Sequence, residues 1–362
     1  MKKAGIVLIL FLTCFVFLPT RVFASDGRQE IWQDFTELLG NDENTTEEEI
    51  MKEAEPSSVI SEVLSLILEE KTLVFGFFML VFCLVLVICA SESCELFPTS
   101  ELSSHVGAGV TAIVGVVIFS AMYPFILSLK DSLTSLNLFF SGLVPIVTGI
   151  SLSSGSVNSA AAHAANMNLV FGLVSGVLTT LLLPIALLMF MLAVSDSLSV
   201  GNGASLAKSA RSLFFWMLGI VTALIMGGVS MQSLISSASD SAYMRAAKFA
   251  SSGLIPVVGG TVSGALGSLV GGLTYVKDCV GAGAVAFILV TSLSPLAILL
   301  LYRLAISLAL LFMNFVGVST GTLCFSATLS ALDSVIAVFV SSVVVYLFEI
   351  IIFMRYGVAS FG

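Results

Sequence analysis

This sequence is poor in charged side chains. Charged residues make up 10% of its 362 residues, whereas soluble globular domains carry about 25%. Apolar residues account for 57% of the chain, and its mean hydropathy is +1.10. These values exclude an ordinary soluble globular protein. They predict an all-α, polytopic membrane protein whose first partner is the lipid bilayer.

Histidine is also scarce, which limits the chemistry available. The chain has 2 histidines and 6 cysteines. No CxxC pair or Cys/His cluster occurs, so we expect no metal and no cofactor. Neither histidine lies in a recognisable catalytic motif, and no HExxH sequence is present. We therefore predict that the protein is not an enzyme.

One short match to a hydrolase pattern needs an explanation. Gly317-Val318-Ser319-Thr320-Gly321 fits GxSxG. A nucleophile elbow of that form follows a strand and precedes a helix. Here the match ends a long apolar stretch, so we interpret it as a chance occurrence in a chain rich in glycine and serine.

The acidic residues are concentrated in one segment. Residues 25–71 contain 14 acidic and three basic side chains, a net charge of −11 in a chain whose total is −9. We predict an acidic arm outside the cytoplasm that is either simply a solvated, partly helical segment or a docking surface for a partner. Such an arm makes nucleic acid an unsuitable partner.

The first 24 residues resemble an export signal. Two lysines precede the apolar stretch Gly5–Leu18, and Val22-Phe23-Ala24 has the small-residue pattern of a cleavage site. Residues 1–24 are therefore predicted to be a signal peptide. The alternative is an uncleaved first helix.

The remaining chain, residues 72–362, is predicted to be a multi-spanning membrane domain. A helix needs about 20 apolar residues to cross a bilayer. The segment 130–167 is less uniformly apolar, and we interpret it as interfacial or re-entrant. The candidate spans are 73–90, 106–127, 169–194, 213–229, 254–276, 279–294, 296–318 and 334–354. Ser294-Pro295 is predicted to form a tight hairpin, with Pro295 in the first turn of the second helix.

The segment 254–276 combines apolar character with regularly spaced glycines. On a helix, four of them would lie on one face and let another backbone approach closely. These four residues, the glycine stripe, are Gly260, Gly264, Gly267 and Gly271. The segment either packs as an ordinary membrane helix or re-enters the membrane, because Pro256 and the paired glycines interrupt it.

Three short sequences around this segment resemble a known family. RAAKF at Arg245–Phe249, IPVVG at Ile255–Gly259 and VKDCVG at Val276–Gly281 are similar to stage III sporulation protein AE of endospore-forming bacteria. The export signal, acidic region and membrane body fit the same arrangement. The family-motif residues that we single out are Arg245, Lys248, Phe249, Pro256 and Gly259.

The resemblance implies a function that the residues alone do not. Members of this family would supply the polytopic membrane portion of a channel-like or secretion-like complex that connects the mother cell to the forespore. The expected partners are the other membrane subunits of that complex. The expected location is the mother-cell-derived membrane around the forespore. The alternative function is a self-contained transporter that binds a small solute between broken helices.

Two charges within the late spans also require partners. A charge in hydrocarbon costs at least about 2.5–3.5 kcal/mol, so such residues are usually paired or face water. We predict that Arg303 and Glu349 form an intramembrane ion pair.

Overall fold

A computed structural model describes residues 71–93, 100–182, 184–188, 191, 204–254, 259–318 and 321–356. The predicted signal peptide and residues 25–70 of the acidic arm lie outside these residues. Within the described part of the chain there is no strand, and five helices are long and apolar enough to cross a membrane. The prediction of an all-α, polytopic membrane protein is therefore confirmed.

The described residues form six principal helices and one π-helical segment. The π-helical segment, Val174–Leu182, continues the third helix directly. The helices are α1 (Lys71–Ser93), α2 (Ser100–Ser153), α3 (Val157–Leu173), α4 (Ala204–Leu254), α5 (Gly259–Val316) and α6 (Thr322–Tyr356).

Several helices are longer than the predicted spans. Helix α2 has 54 residues and α5 has 58, more than twice the length that crosses a bilayer. The predicted span 106–127 lies mostly in the first half of α2. The segment 130–167 is helical apart from a short turn, and a candidate span covers Val157–Leu178, upstream of the predicted 169–194. The limits of the hydrocarbon-embedded parts stay predictions.

The predicted hairpin at Ser294-Pro295 is wrong. Helix α5 runs through Pro295 without a break, and the paired glycines Gly271-Gly272 do not interrupt it either. Proline removes one backbone donor, but in membrane helices a nearby hydroxyl can hydrogen-bond the backbone around such a site.

Glycine ends α2 and fixes where α3 begins. Gly155 adopts φ +81°, a conformation that side chains with a Cβ rarely take. Its N–H donates to the Leu152 carbonyl over 2.9 Å, and the next N–H, from Ser156, reaches the Ser151 carbonyl over 3.0 Å. This pair of bonds is the Schellman arrangement that satisfies the last carbonyls of a helix. It allows α3 to start two residues later.

The GxSxG match lies between two helices. Gly317, at φ +82°, closes α5 with its N–H on the Met313 carbonyl over 3.0 Å, and α6 begins at Thr322. A helix therefore precedes this match, whereas a nucleophile elbow follows a strand.

The chain divides into two compact units. One contains residues up to Ile118 together with Ala297–Ser326, and the other contains Phe119–Leu296 together with the residues from Ala327. In the first unit, the rings of Phe77 and Tyr302 stack with their centroids 4.1 Å apart. Stacked rings of this kind contribute about 0.5–1.5 kcal/mol beyond the area they bury.

The second unit has a larger aromatic core. Phe139 of α2 stacks on Phe287 of α5 at 4.0 Å, and Phe140 packs on Tyr346 of α6 at 4.4 Å. The Tyr346 hydroxyl donates to the Asn137 side-chain oxygen, which provides the buried phenol with a partner. These contacts hold α2, α5 and α6 together in this unit.

The contact between α5 and α6 includes one position where only glycine fits. A Cβ at Gly281 would lie 2.7 Å from the Met354 sulfur and closer still to its Cγ. We expect Gly281→Ala to lower the free energy of unfolding by about 1–3 kcal/mol, because Met354 must leave its position. Thermal unfolding in mild detergent would measure this effect.

Gly283, two residues further along α5, is the matched control. No atom lies within 4 Å of a Cβ built there. Gly283→Ala should be neutral or stabilising by up to about 1 kcal/mol, since alanine is the better helix former. Equal melting temperatures for the two variants would show that the Met354 contact does not constrain position 281.

Candidate buried polar site

Helix α3 buries a row of polar side chains. Ser159, His163 and Asn166 are each at most 1% exposed. Their spacing of four and three residues places them on one face of the helix. Buried alanines lie beside them, and small side chains allow neighbouring helices to come close. The face is therefore both polar and closely packed, and we call it the α3 polar face.

Asp240 of α4 binds the start of α3. The Ser156 side chain makes no capping hydrogen bond. Instead, one Asp240 oxygen accepts from the Asn158 backbone N–H at 3.1 Å and from its side-chain amide at 3.0 Å. The other oxygen accepts from the Ser159 backbone N–H at 2.6 Å. The carboxylate thus accepts from two backbone N–H groups that have no partner within the helix, and it lies at the positive end of the helix dipole.

Asn166 makes a second connection between the same two helices. Its side-chain amide donates to the Ser233 hydroxyl over 2.9 Å and to the Val229 carbonyl over 3.4 Å. Because Asp240 contacts the start of α3 while Ser233 contacts its middle, α3 and α4 run antiparallel. Polar contacts at two levels therefore fix the register between them.

His163 is the point where α3 meets α6. Its Nδ1 lies 3.6 Å from Oε1 of Glu349, and the two side chains are 1% and 0% exposed. The His163 ring also meets Phe353 edge-on, with ring centroids 5.5 Å apart. An ionisable pair is thus enclosed in the bundle beside an aromatic ring, where an isolated charge would be costly.

The α3 polar face and Glu349 also carry unsatisfied hydrogen-bonding atoms. Among the described residues, six buried side-chain atoms have no hydrogen-bond partner. They belong to four residues that lie on the α3 polar face or directly against it. The atoms are Ser159 Oγ, both ring nitrogens of His163, Asn166 Oδ1 and both carboxyl oxygens of Glu349. Such a concentration is unusual, because the large majority of buried polar atoms are partnered.

Arg303 and Glu349, the predicted ion pair, differ in their exposure to solvent. Glu349 is buried against His163, whereas Arg303 is exposed. The two residues also belong to different compact units. Their ion pair stays a prediction, and His163 is the residue that the structure places beside the carboxylate.

The glycine stripe is described in part. All four glycines lie in α5. Gly267 and Gly271 are exposed, and no atom lies within 4 Å of a Cβ built at either position. Among the described residues, then, no helix packs against these two glycines. Their role as a packing surface or pore lining stays a prediction.

The family-motif residues lie near the junction of α4 and α5. Arg245, Lys248 and Phe249 belong to α4, and the Arg245 and Phe249 side chains are exposed. Gly259 is the first residue of α5, and Pro256 lies outside the described residues. The third motif sequence contains Gly281, which makes the close approach to Met354.

Sequence reasoning missed most of the buried polar site. His163 and Asn166 lie in the segment 130–167, which was interpreted as interfacial or re-entrant, and Asp240 lies in an amphipathic segment that leads into the glycine-rich one. One signal was available: Ser159, His163 and Asn166 recur at helical spacing in an otherwise alanine-rich stretch. Their partners on α4 and α6 could not be inferred, because they are distant in sequence.

Long apolar helices that enclose a few paired polar groups define a polytopic α-helical membrane protein. Within that class, residues 41–357 match the pattern of the stage III sporulation protein AE family. The chain belongs to this family, as its motifs indicated, and the protein is therefore a membrane protein involved in sporulation.

A curated relative supports the same family. The chain is 21% identical over 230 residues to stage III sporulation protein AE of Bacillus subtilis (strain 168), a match that covers 62% of this chain and 57% of that protein. No solved structure matches this chain.

Proposed function

We propose that this protein is a non-enzymatic membrane subunit of a sporulation-specific channel-like or secretion-like complex that connects mother cell and forespore. Family membership supports the link to sporulation. The role in the complex is the one that the family resemblance implies. Such a subunit would reside in the mother-cell-derived membrane around the forespore.

The exposed face of α5 is the observation that supports assembly with other subunits. Gly267 and Gly271 present bare backbone at the surface of their unit. In a bilayer, small residues of this kind let a second helix approach, and the gain comes from dispersion contacts rather than from the hydrophobic effect. The stripe is thus suited to a helix of another subunit.

The buried polar groups support a non-enzymatic role. Asp240 of α4 is hydrogen-bonded to α3, and Asn166 of α3 is hydrogen-bonded to α4. His163 and Glu349 face each other. Nucleophilic catalysis requires a nucleophile within hydrogen-bond reach of its base. The polar contacts of the site instead join helices, as expected for a structural or channel-forming subunit.

Purification from sporulating cells tests this proposal. A tagged full-length chain extracted in mild detergent should retain other membrane subunits of the sporulation complex through a sizing column. A chain that elutes alone and, after reconstitution, shows saturable uptake of a small solute would instead support a self-contained transporter.

A glycine-to-leucine pair locates the surface used for assembly. Gly271→Leu places a bulky side chain on the stripe and should reduce the yield of co-purified subunits at least several-fold, because the helices are held apart. Membrane insertion should be unchanged, since leucine makes the segment more apolar. Both quantities are measured at matched expression.

Gly272→Leu is the control for that substitution. The two glycines are adjacent in α5 and both are exposed with no atom within 4 Å of a built Cβ. They differ by about 100° around the helix, so only Gly271 lies on the stripe. If both variants keep their partners equally well, the stripe is not an interface.

A further inference from the structure

We propose that His163 and Glu349, with the rest of the α3 polar face, form an internal site that binds water and one exchangeable proton. The family relationship does not assign such a site. The inference rests on the buried groups themselves and is independent of the role in a channel-like complex.

The geometry points to a pair bridged by water rather than to a direct hydrogen bond between the two side chains. Nδ1 of His163 and Oε1 of Glu349 are 3.6 Å apart, beyond the usual range of a direct hydrogen bond. All four titratable atoms of the pair are buried and have no hydrogen-bond partner among the described residues. A structural pair would be expected to satisfy these atoms, because unsatisfied groups in a low-dielectric interior are costly.

Neighbouring atoms extend the site along α3. Ser159 and Asn166 lie on either side of His163, and each keeps one buried oxygen without a partner. Four residues of helix rise by about 6 Å, so these oxygens are within reach of a short row of water molecules. Internal water commonly binds such groups, with about three hydrogen bonds each.

Other buried charged and titratable groups on the neighbouring helices have hydrogen-bond or ion-pair partners of their own. On α4, Asp240 accepts three hydrogen bonds at the start of α3. On α6, Tyr346 precedes Glu349 by one turn and donates to Asn137 of α2. On α5, the buried Lys277 lies 3.6 Å from Asp278. Helix α3 carries no titratable side chain other than His163.

The proton balance of the site is simple. Without the proton, neutral His163 and ionised Glu349 carry a net charge of −1. Uptake from a hydronium ion forms one N–H bond on His163 or one O–H bond on Glu349, releases water and makes the pair neutral. Ionisable residues inside membrane bundles commonly mark proton pathways for this reason.

Histidine NMR on the full-length protein tests the proposal directly. Since the chain has 2 histidines, His105→Gln leaves His163 as the only labelled imidazole. We expect the His163 ring-nitrogen shifts to change reversibly with the pH of the sample, over the range in which the protein stays folded, because the pair takes up and releases one proton. Shifts that stay constant over this range would overturn the proposal.

A second variant tests whether the carboxyl shares the proton. In the His105→Gln background, Glu349→Gln removes the acidic group with little change in shape and should abolish the pH response or displace it. Asp131→Asn is the control, because it removes an exposed carboxylate of α2 from the same unit. Identical responses with and without the Glu349 carboxyl would mean that the pair does not hold a common proton.

Discussion

Replacing His163 by leucine is expected to lower the free energy of unfolding by about 3 kcal/mol at neutral pH. The variant removes the imidazole that faces Glu349 at 3.6 Å and leaves a fully buried carboxyl without that neighbour. The loss is measured as a lower melting temperature in mild detergent and as reduced accumulation in the membrane.

A double-mutant cycle identifies the partner of Glu349. His163→Leu combined with Glu349→Leu should recover most of the stability, because no polar group is then stranded. Arg303→Leu provides the comparison, since the sequence predicted Arg303 as the partner. If Arg303 and Glu349 are coupled while His163 and Glu349 lose stability additively, the ion pair predicted from sequence is correct and the His163 contact is incidental.

Asp240→Ala is expected to destabilise the protein by about 2 kcal/mol or more. It removes a carboxylate that accepts three hydrogen bonds at the start of α3. Loss of a helix cap costs about 0.5–2 kcal/mol, and hydrogen bonds to charged groups contribute about 1.5–3 kcal/mol. Asp240→Asn keeps one acceptor oxygen and should lose less.

The matched control for Asp240 is another aspartate in a helix of the same unit. Asp131 in α2 is exposed, and Asp131→Ala should change the stability by no more than about 0.5 kcal/mol. Thermal unfolding in the same detergent compares the two variants. A melting temperature for Asp240→Ala equal to that of Asp131→Ala would show that α3 does not depend on this cap.

Element boundaries were less predictable than element type. The sequence placed a turn at Pro295, where α5 continues, because a proline looks the same whether a helix begins at it or passes through it. It gave no prediction of the turn at Gly155, which ends α2. Whether the helix continues at Pro295 and ends at Gly155 depends on which hydrogen-bond partners the nearby backbone groups have. The local three-dimensional arrangement decides that.

The sequence by itself determined that this is an all-α membrane protein of a sporulation family. Composition was sufficient for the class, because long apolar stretches in lipid can satisfy their backbone groups only as helices or closed barrels. Short motifs were sufficient for the family. Only the tertiary structure decided which polar residues meet. Asp240 and Asn158 are 82 residues apart in the chain, and no periodicity within one helix specifies a partner on another. The same holds for His163 and Glu349, whose contact follows from the packing of α3 against α6.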